Sequence, residues 1–312
     1  MDEIVLSVKQ LHKKINGKTI VDNVSFELRS GDIVGFLGPN GAGKTTTIRM
    51  LVNLIKPTSG HVYICGRNIR KEPEEALRHV GAIVENPELY SYMTGYQNLE
   101  QLARMQDGVD AKRIREVTAV VKLENRIHDK VGTYSLGMRQ RLGIAAALLG
   151  KPRLLILDEP TNGLDPIGIK ELRAFIRSLA EEGLSVLVSS HLLSEVQLLC
   201  DRFVIIHQGR VAASGMVEEW RRGASGIVRW QFQHAEEGAR ELLKDDRIGL
   251  AEEVNEAGPE ASAMVTVRMN EALVPDTVAR LADCGVRILS VCKAEPTLED
   301  MFLTMTGSEA IE

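Results

Sequence analysis

The sequence predicts an α/β chain: a largely parallel sheet with an antiparallel flank and a helical insert, followed by a small α+β domain. Three observations carry this reading. An apolar run at 33–37 leads into a glycine-rich turn at 38–43 and then a helix-like stretch at 46–54. Two more strand-like runs, 154–157 and 184–189, bracket a helix-like stretch at 169–182, the pattern of parallel strands joined by a crossover helix. After residue 226 the order reads strand, helix, strand, strand, helix, strand, a split β-α-β sandwich of the ferredoxin kind.

Taken in order, the runs 4–8 and 20–28 predict two antiparallel strands with a turn at Asn16-Gly17; the second alternates in Val24-Ser25-Phe26-Glu27-Leu28. Pro57-Thr58-Ser59-Gly60 marks a turn before short strands at 61–65 and 80–84. From 88 to 150 the text becomes helical, with Leu99, Leu102 and Met105 and then Ile114, Val117, Val120 and Val121 at helical spacing. A hairpin is expected around Gln208-Gly209, between 203–206 and 210–213. Small and basic residues at 221–226 suggest a linker, dividing the chain into domains 1–222 and 226–312. In the second domain the strands are expected at 227–233, 249–254, 262–269 and 286–291, and the helices at 235–244 and 275–283, with a last helix at 298–305.

A chain of 312 residues with 44% hydrophobic and 26% charged residues can bury a full core, and its net charge of −5 argues against a nucleic-acid-binding surface. No run approaches the roughly 18 apolar residues of a membrane helix; the stretch 142–157 is broken by Lys151, Pro152 and Arg153. Met1-Asp2-Glu3 lacks the basic and apolar regions of a signal peptide, so a cytoplasmic location is expected, with any membrane role peripheral. Cys65, Cys200, Cys284 and Cys292 show neither C-x-x-C nor zinc spacing and are expected to be reduced and mostly buried.

Residues Gly38, Pro39, Asn40, Gly41, Ala42, Gly43, Lys44 and Thr45 form a complete G-x-x-x-x-G-K-[ST] phosphate loop between a strand and a helix. Such a turn aims backbone N–H groups and a helix N-terminus at one point, where a β-phosphate fits. Lys44 would reach the β- and γ-phosphates, Thr45 would ligate Mg²⁺, and Thr46 continues the nucleotide-binding set. The apolar strand 154–157 ends in Asp158-Glu159. Adjacent residues at a strand end point opposite ways, so Asp158 can face Mg²⁺ while Glu159 faces the far side of the γ-phosphate and polarises a water.

Tyr134-Ser135-Leu136-Gly137-Met138-Arg139-Gln140-Arg141 opens a further helix. Together with the phosphate loop, Leu157-Asp158-Glu159-Pro160-Thr161, Gly163-Leu164-Asp165-Pro166 and Ser189-Ser190-His191, it resembles the ATP-binding subunit of an ABC transporter, a phosphate-loop NTPase, over residues 1 to about 222. The resemblance implies two subunits lying head to tail, with Ser135 and Gly137 of one capping the γ-phosphate bound by the other. It also implies that Asp165 lies in the loop crossing that interface and that His191 contacts the γ-phosphate and catalytic water.

Departures from the family pattern are informative. Leu136 and Met138 replace the usual Gly and Gln, while Gly137 is kept. Ile15 stands where an aromatic usually stacks on adenine, which predicts loose base recognition. Glu85 stands where a Gln usually links Mg²⁺ and attacking water to the membrane subunit. Glu85, the Ser-Leu-Gly-Met signature and the ending Pro296-Thr297-Leu298-Glu299-Asp300-Met301-Phe302 resemble bacterial exporters of the bacitracin-resistance and lantibiotic-immunity kind, which pair two separate ATPase chains with six-helix membrane subunits. The expected function is therefore ATP hydrolysis powering an exporter from the inner face of the cell membrane, with ATP and Mg²⁺ as cofactors and a permease and a second ATPase subunit as partners. The alternative is a soluble ABC ATPase of translation, DNA repair or iron–sulfur assembly. The repair type carries long heptad segments and the translation type two cassettes, and this chain has neither. A non-catalytic ATP-binding scaffold would lack the acid supplied by Glu159.

Overall fold

In the computed structural model the described residues are 3–223, 226–250 and 264–293. Asn16 and Gly17, at φ +48° and +80°, reverse the chain between β1 (Ile4–Ile15) and β2 (Lys18–Arg29), the left-handed pair that a two-residue hairpin requires. The chain continues through β3 (Ile33–Leu37), α1 (Lys44–Leu51), β4 (Ser59–Ile64), β5 (Arg67–Asn68), α2 (Pro73–Leu77) and β6 (Val80–Ile83). Helices α3 (Gly95–Ala103), α4 (Ala111–Val120) and α5 (Leu136–Leu148) follow. The unit is completed by β7 (Leu154–Leu157), α6 (Pro166–Glu181), β8 (Ser185–Ser190), α7 (Leu193–Leu199), β9 (Arg202–His207) and β10 (Arg210–Met216).

Two sheets result. The four-stranded antiparallel sheet has the order β2-β1-β4-β5, and the six-stranded sheet β10-β9-β3-β8-β7-β6 is parallel except for β10. Every residue of β3, β7 and β8 is buried, which is why β3 and β7 read as apolar runs, while β8 sets Val186-Leu187-Val188 between buried serines. The two sheets share one core, in which Phe26 and Phe36 stand 5.2 Å apart among Leu6, Leu28 and Ile48. β1 extends to Ile15, seven residues past the expected end at 8, because β2 pairs with its polar second half as far as Ile15 and β4 as far as His12, across register shifts. The helices of the insert start at side-chain caps: Thr94 and Gln97 form a reciprocal capping box for α3, and Asp110 accepts from the Arg113 N–H at α4. Helices α2 and α7 are both short, 5 and 7 residues, too short for their periodicity to register in the sequence.

One compact unit ends at Val217 and a second begins at Glu218. The basic stretch expected to be a linker from 221 starts inside a helix, α8 (Val217–Gly223). The second unit contains β11 (Ile227–Phe232), α9 (Ala235–Leu242), β12 (Gly249–Leu250), β13 (Met264–Arg268), α10 (Val274–Asp283) and β14 (Ile288–Lys293). Its sheet order, β12-β13-β11-β14, with all pairs antiparallel, is that of a split β-α-β sandwich. Trp230, Phe232, Val265, Val267, Leu242 and Leu281 fill its separate core. The expected helix at 298–305, the end of the strand expected at 249–254 and the start of that expected at 262–269 lie outside the described residues.

All four cysteines are free. Cys200 is buried and Cys65 half-buried, but Cys284 and Cys292 are exposed, against the expectation of mostly buried thiols. Position in helix and strand faces decides this, and spacing in the sequence does not encode it. Burial pushes the Cys200 thiol far up from its ordinary value, so it behaves as a small apolar side chain. Among the described residues no helix is long and apolar enough to cross a membrane.

Candidate functional site

In the parallel sheet the segments after β3, β6, β7 and β8 leave from the same edge, the carboxyl ends of the strands. The segment after β3 is the phosphate loop. Gly38 has φ +154°, and a Cβ there would stand 2.2 Å from the Ile206 carbonyl oxygen; Gly43 has φ +104°, and a Cβ would meet the Ile20 carbonyl oxygen at 2.8 Å. Only glycine fits both positions. Gly43 also places the turn against Ile20 and Val21 of β2, so the antiparallel flank backs the loop. Ile15 lies on that flank at the hairpin tip, paired with Lys18 and 42% exposed.

α1 begins at Gly43 with no side-chain cap, and its first residue is the cationic Lys44. Both features leave the helix N-terminus short of negative charge. Lys44 is 6% exposed. Its ammonium donates to the carbonyls of Gly38 at 2.7 Å and Pro39 at 3.3 Å and stands 3.2 Å from Glu159 Oε1. Thr45 and Thr46 follow it, half-buried in the first turn of α1.

Glu159 sits at φ +49°, which turns the chain out of β7. Its second oxygen, Oε2, is 2.8 Å from His191 Nδ1. A carboxylate only accepts, so Nδ1 carries the proton and Nε2 is left to bond elsewhere. Asp158 is 1% exposed. Its Oδ1 accepts from the Ser189 hydroxyl at 2.5 Å, and Ser189 Oγ in turn accepts the Glu159 N–H at 2.9 Å. Ser189 thus fixes both acids, a role that the sequence analysis did not assign; its one signal was a hydroxyl at the end of a buried strand. Asp158 Oδ2 is buried without a hydrogen-bond partner. A buried oxygen left so costs roughly 1–3 kcal/mol, and a cation beside it would remove that cost.

The remaining candidate residues stand apart from this cluster. Ser135 caps α5, its hydroxyl accepting the Met138 N–H at 3.3 Å, and Asp165 caps α6, accepting the Gly168 N–H at 2.9 Å. Ser135, Gly137, Gly163 and Asp165 line one groove of about 580 Å³. The structure brings these two helix starts together, and gives them no contact with Lys44 or Glu159 among its hydrogen bonds and ion pairs. Glu85 follows β6 at φ +64°, half in solvent, and its carboxylate is 2.5 Å from Arg49 of α1.

A parallel sheet with a phosphate loop at the carboxyl end of β3, and an Asp-Glu pair at the same end of β7, one strand beyond its neighbour β8, defines a phosphate-loop nucleoside-triphosphate hydrolase. The ABC transporter family model matches residues 21–162. The uncharacterized ABC transporter ATP-binding protein YhcH of Bacillus subtilis (strain 168) is 47% identical over 304 residues, covering 97% of this chain and 96% of that protein. The bacitracin transport ATP-binding protein BcrA of Bacillus licheniformis is 39% identical over 310 residues, 98% of this chain and 99% of the relative. A dimeric ATP-binding cassette in a post-hydrolysis state with ADP and Pi superposes with a TM-score of 0.60 at 26% identity, covering 68% of this chain and 98% of that one. The chain belongs to the ABC transporter ATP-binding family, and its activity is ATP hydrolysis coupled to transport.

Proposed function

We propose that this chain powers export of antimicrobial peptides through separate membrane-spanning permease subunits, working as a head-to-tail homodimer at the inner face of the cell membrane. The observation that carries the catalytic part is Glu159 held between Lys44 and His191. Lys44 has Glu159 as its only acidic partner among the described ion pairs. The β- and γ-phosphates compete for that ammonium, and Glu159 is then free to accept a proton from water as the general base. With Nδ1–H directed at Glu159, His191 Nε2 would accept from the water that attacks the γ-phosphate. Thr45 and Asp158 would hold Mg²⁺, and the orphaned Oδ2 of Asp158 fits that charge. The metal would neutralise developing charge on the phosphates.

The dimer reading is supported by the groove of Ser135, Gly137 and Asp165, whose lining includes neither Lys44 nor any residue of the phosphate loop, and by the dimeric form of the related cassette bound to ADP and Pi. For the permease, the groove of about 920 Å³ between the edge strand β6 and the helical insert is the proposed seat. Val84, Asn86 and Pro87 line it beside Glu85, and Met105 and Ala147 supply its apolar wall, which suits a short amphipathic helix from a membrane subunit. The peptide class rests on the full-length match to a bacitracin transport protein. The second unit, outside the nucleotide site, is proposed to support the dimer or regulate it.

The test is purification of the full chain from detergent-solubilised membranes with identification of whatever co-purifies, paired with bacitracin susceptibility of cells carrying the parent or Glu159→Gln. A membrane partner, and protection by the parent alone, are expected. A soluble partner with no change in susceptibility would instead favour a non-transport ABC ATPase.

A further inference from the structure

We propose that Arg49 is the positioning residue of Glu85, supplying the counter-charge that lets an acid occupy the edge of the triphosphate site and tying the loop after β6 to the helix that follows the phosphate loop. The reasoning starts from charge. Asp158, Glu159 and Glu85 all lie at the carboxyl edge of neighbouring strands: β6 pairs in register with β7, Ile83 beside Leu157, and the Asp158 N–H donates to the Ile83 carbonyl at 2.9 Å. A triphosphate adds more negative charge at the same edge. Lys44 answers Glu159, and the guanidinium of Arg49, 2.5 Å from Glu85 Oε1, answers Glu85.

Geometry makes the pairing specific. Arg49 lies in the last turn of α1, five residues from Lys44, and its carbonyl accepts the Leu54 and Ile55 N–H groups that close the helix. Glu85 is held at φ +64°, a backbone conformation that a non-glycine residue takes only when its surroundings impose it. The two side chains are 42% and 56% exposed, so their ion pair adds little to fold stability. Its consequence therefore falls on nucleotide handling, because an unpaired Glu85 carboxylate would oppose the incoming phosphates.

The experiment is a double-mutant cycle on the full chain with Mg-ATP, using Arg49→Met, Arg49→Lys, Glu85→Gln and Arg49→Met with Glu85→Gln, reading ATP affinity and steady-state KM and kcat. Arg49→Met is expected to weaken ATP binding and raise KM about fivefold, within the range of coupling between contacting residues, with a smaller change in kcat. Arg49→Lys should stay within about twofold of the parent, and Arg49→Met should cost less than about twofold once Glu85 is Gln. An equal loss from Arg49→Met in both backgrounds would overturn the proposal, because Arg49 would then act through helix packing. Parent-like affinity in Arg49→Met would overturn it as well. The inference rests on the ATP-hydrolysis reading only for KM and kcat; affinities decide it even in a preparation that binds ATP without turnover.

Discussion

The start of α1 and the starts of α5 and α6 are all helix N-termini carrying functional candidates, yet they are finished differently. α1 opens at Gly43 with no side-chain cap and a lysine in first position, whereas α5 and α6 open at Ser135 and Asp165, whose side chains already accept helix N–H groups. An uncapped, cationic N-terminus favours an anion supplied from outside, and Glu159 meets part of that need through Lys44. The capped pair needs nothing for its own chain's sake. One region is built to be completed by a ligand, and the other is a finished surface that can be presented to a ligand held elsewhere.

Four perturbations break or sharpen this contrast. The largest effect is expected from Glu159→Gln, which keeps shape and removes the base: kcat should fall roughly 10²–10⁴-fold with ATP binding retained. Turnover within a few-fold of the parent would show that another group activates water. Lys44→Ala comes next. Losing a charged hydrogen-bond donor to phosphate is worth about 1.5–3 kcal/mol, so equilibrium binding should weaken roughly ten- to hundredfold. Unchanged affinity would mean that the loop N–H groups alone hold the nucleotide.

Ser135→Ala addresses the capped region. Removing a cap costs about 1 kcal/mol in stability. ATP affinity of the isolated chain should not change, while hydrolysis should lose its dependence on protein concentration. A variant that weakens ATP binding in the isolated chain would put Ser135 in its own chain's site and erase the distinction between the regions. The smallest effect concerns the flank behind the loop. Stacking on an aromatic is worth about 1–3 kcal/mol per base in sites that have it, and Ile15 offers none, so ATP and GTP should compete within about threefold. A strong preference for ATP would point to an aromatic from outside the hairpin.

Much of this molecule could be read without coordinates because its decisive elements are local. The buried strands announce themselves as apolar runs, the phosphate loop as glycines at positions where a Cβ would strike Ile206 or Ile20, and the reversal at Asn16-Gly17 as two residues tolerant of positive φ. The order of strands in the second unit followed from the order of its elements alone. What stayed hidden depends on residues far apart in the chain. β1 reached Ile15 because strands on both sides hold it, and the basic stretch at 221 starts inside a helix in which the boundary between the two units falls. Ser189 bridges Asp158 and Glu159 across about 30 residues, and Arg49 meets Glu85 across 36. By itself the sequence determined the class of chemistry, since phosphate binding needs a fixed local spacing of glycines, a lysine and a threonine. Only the tertiary structure decided which acid each cation answers, because charges pair by distance in space and the chain's order does not record that distance.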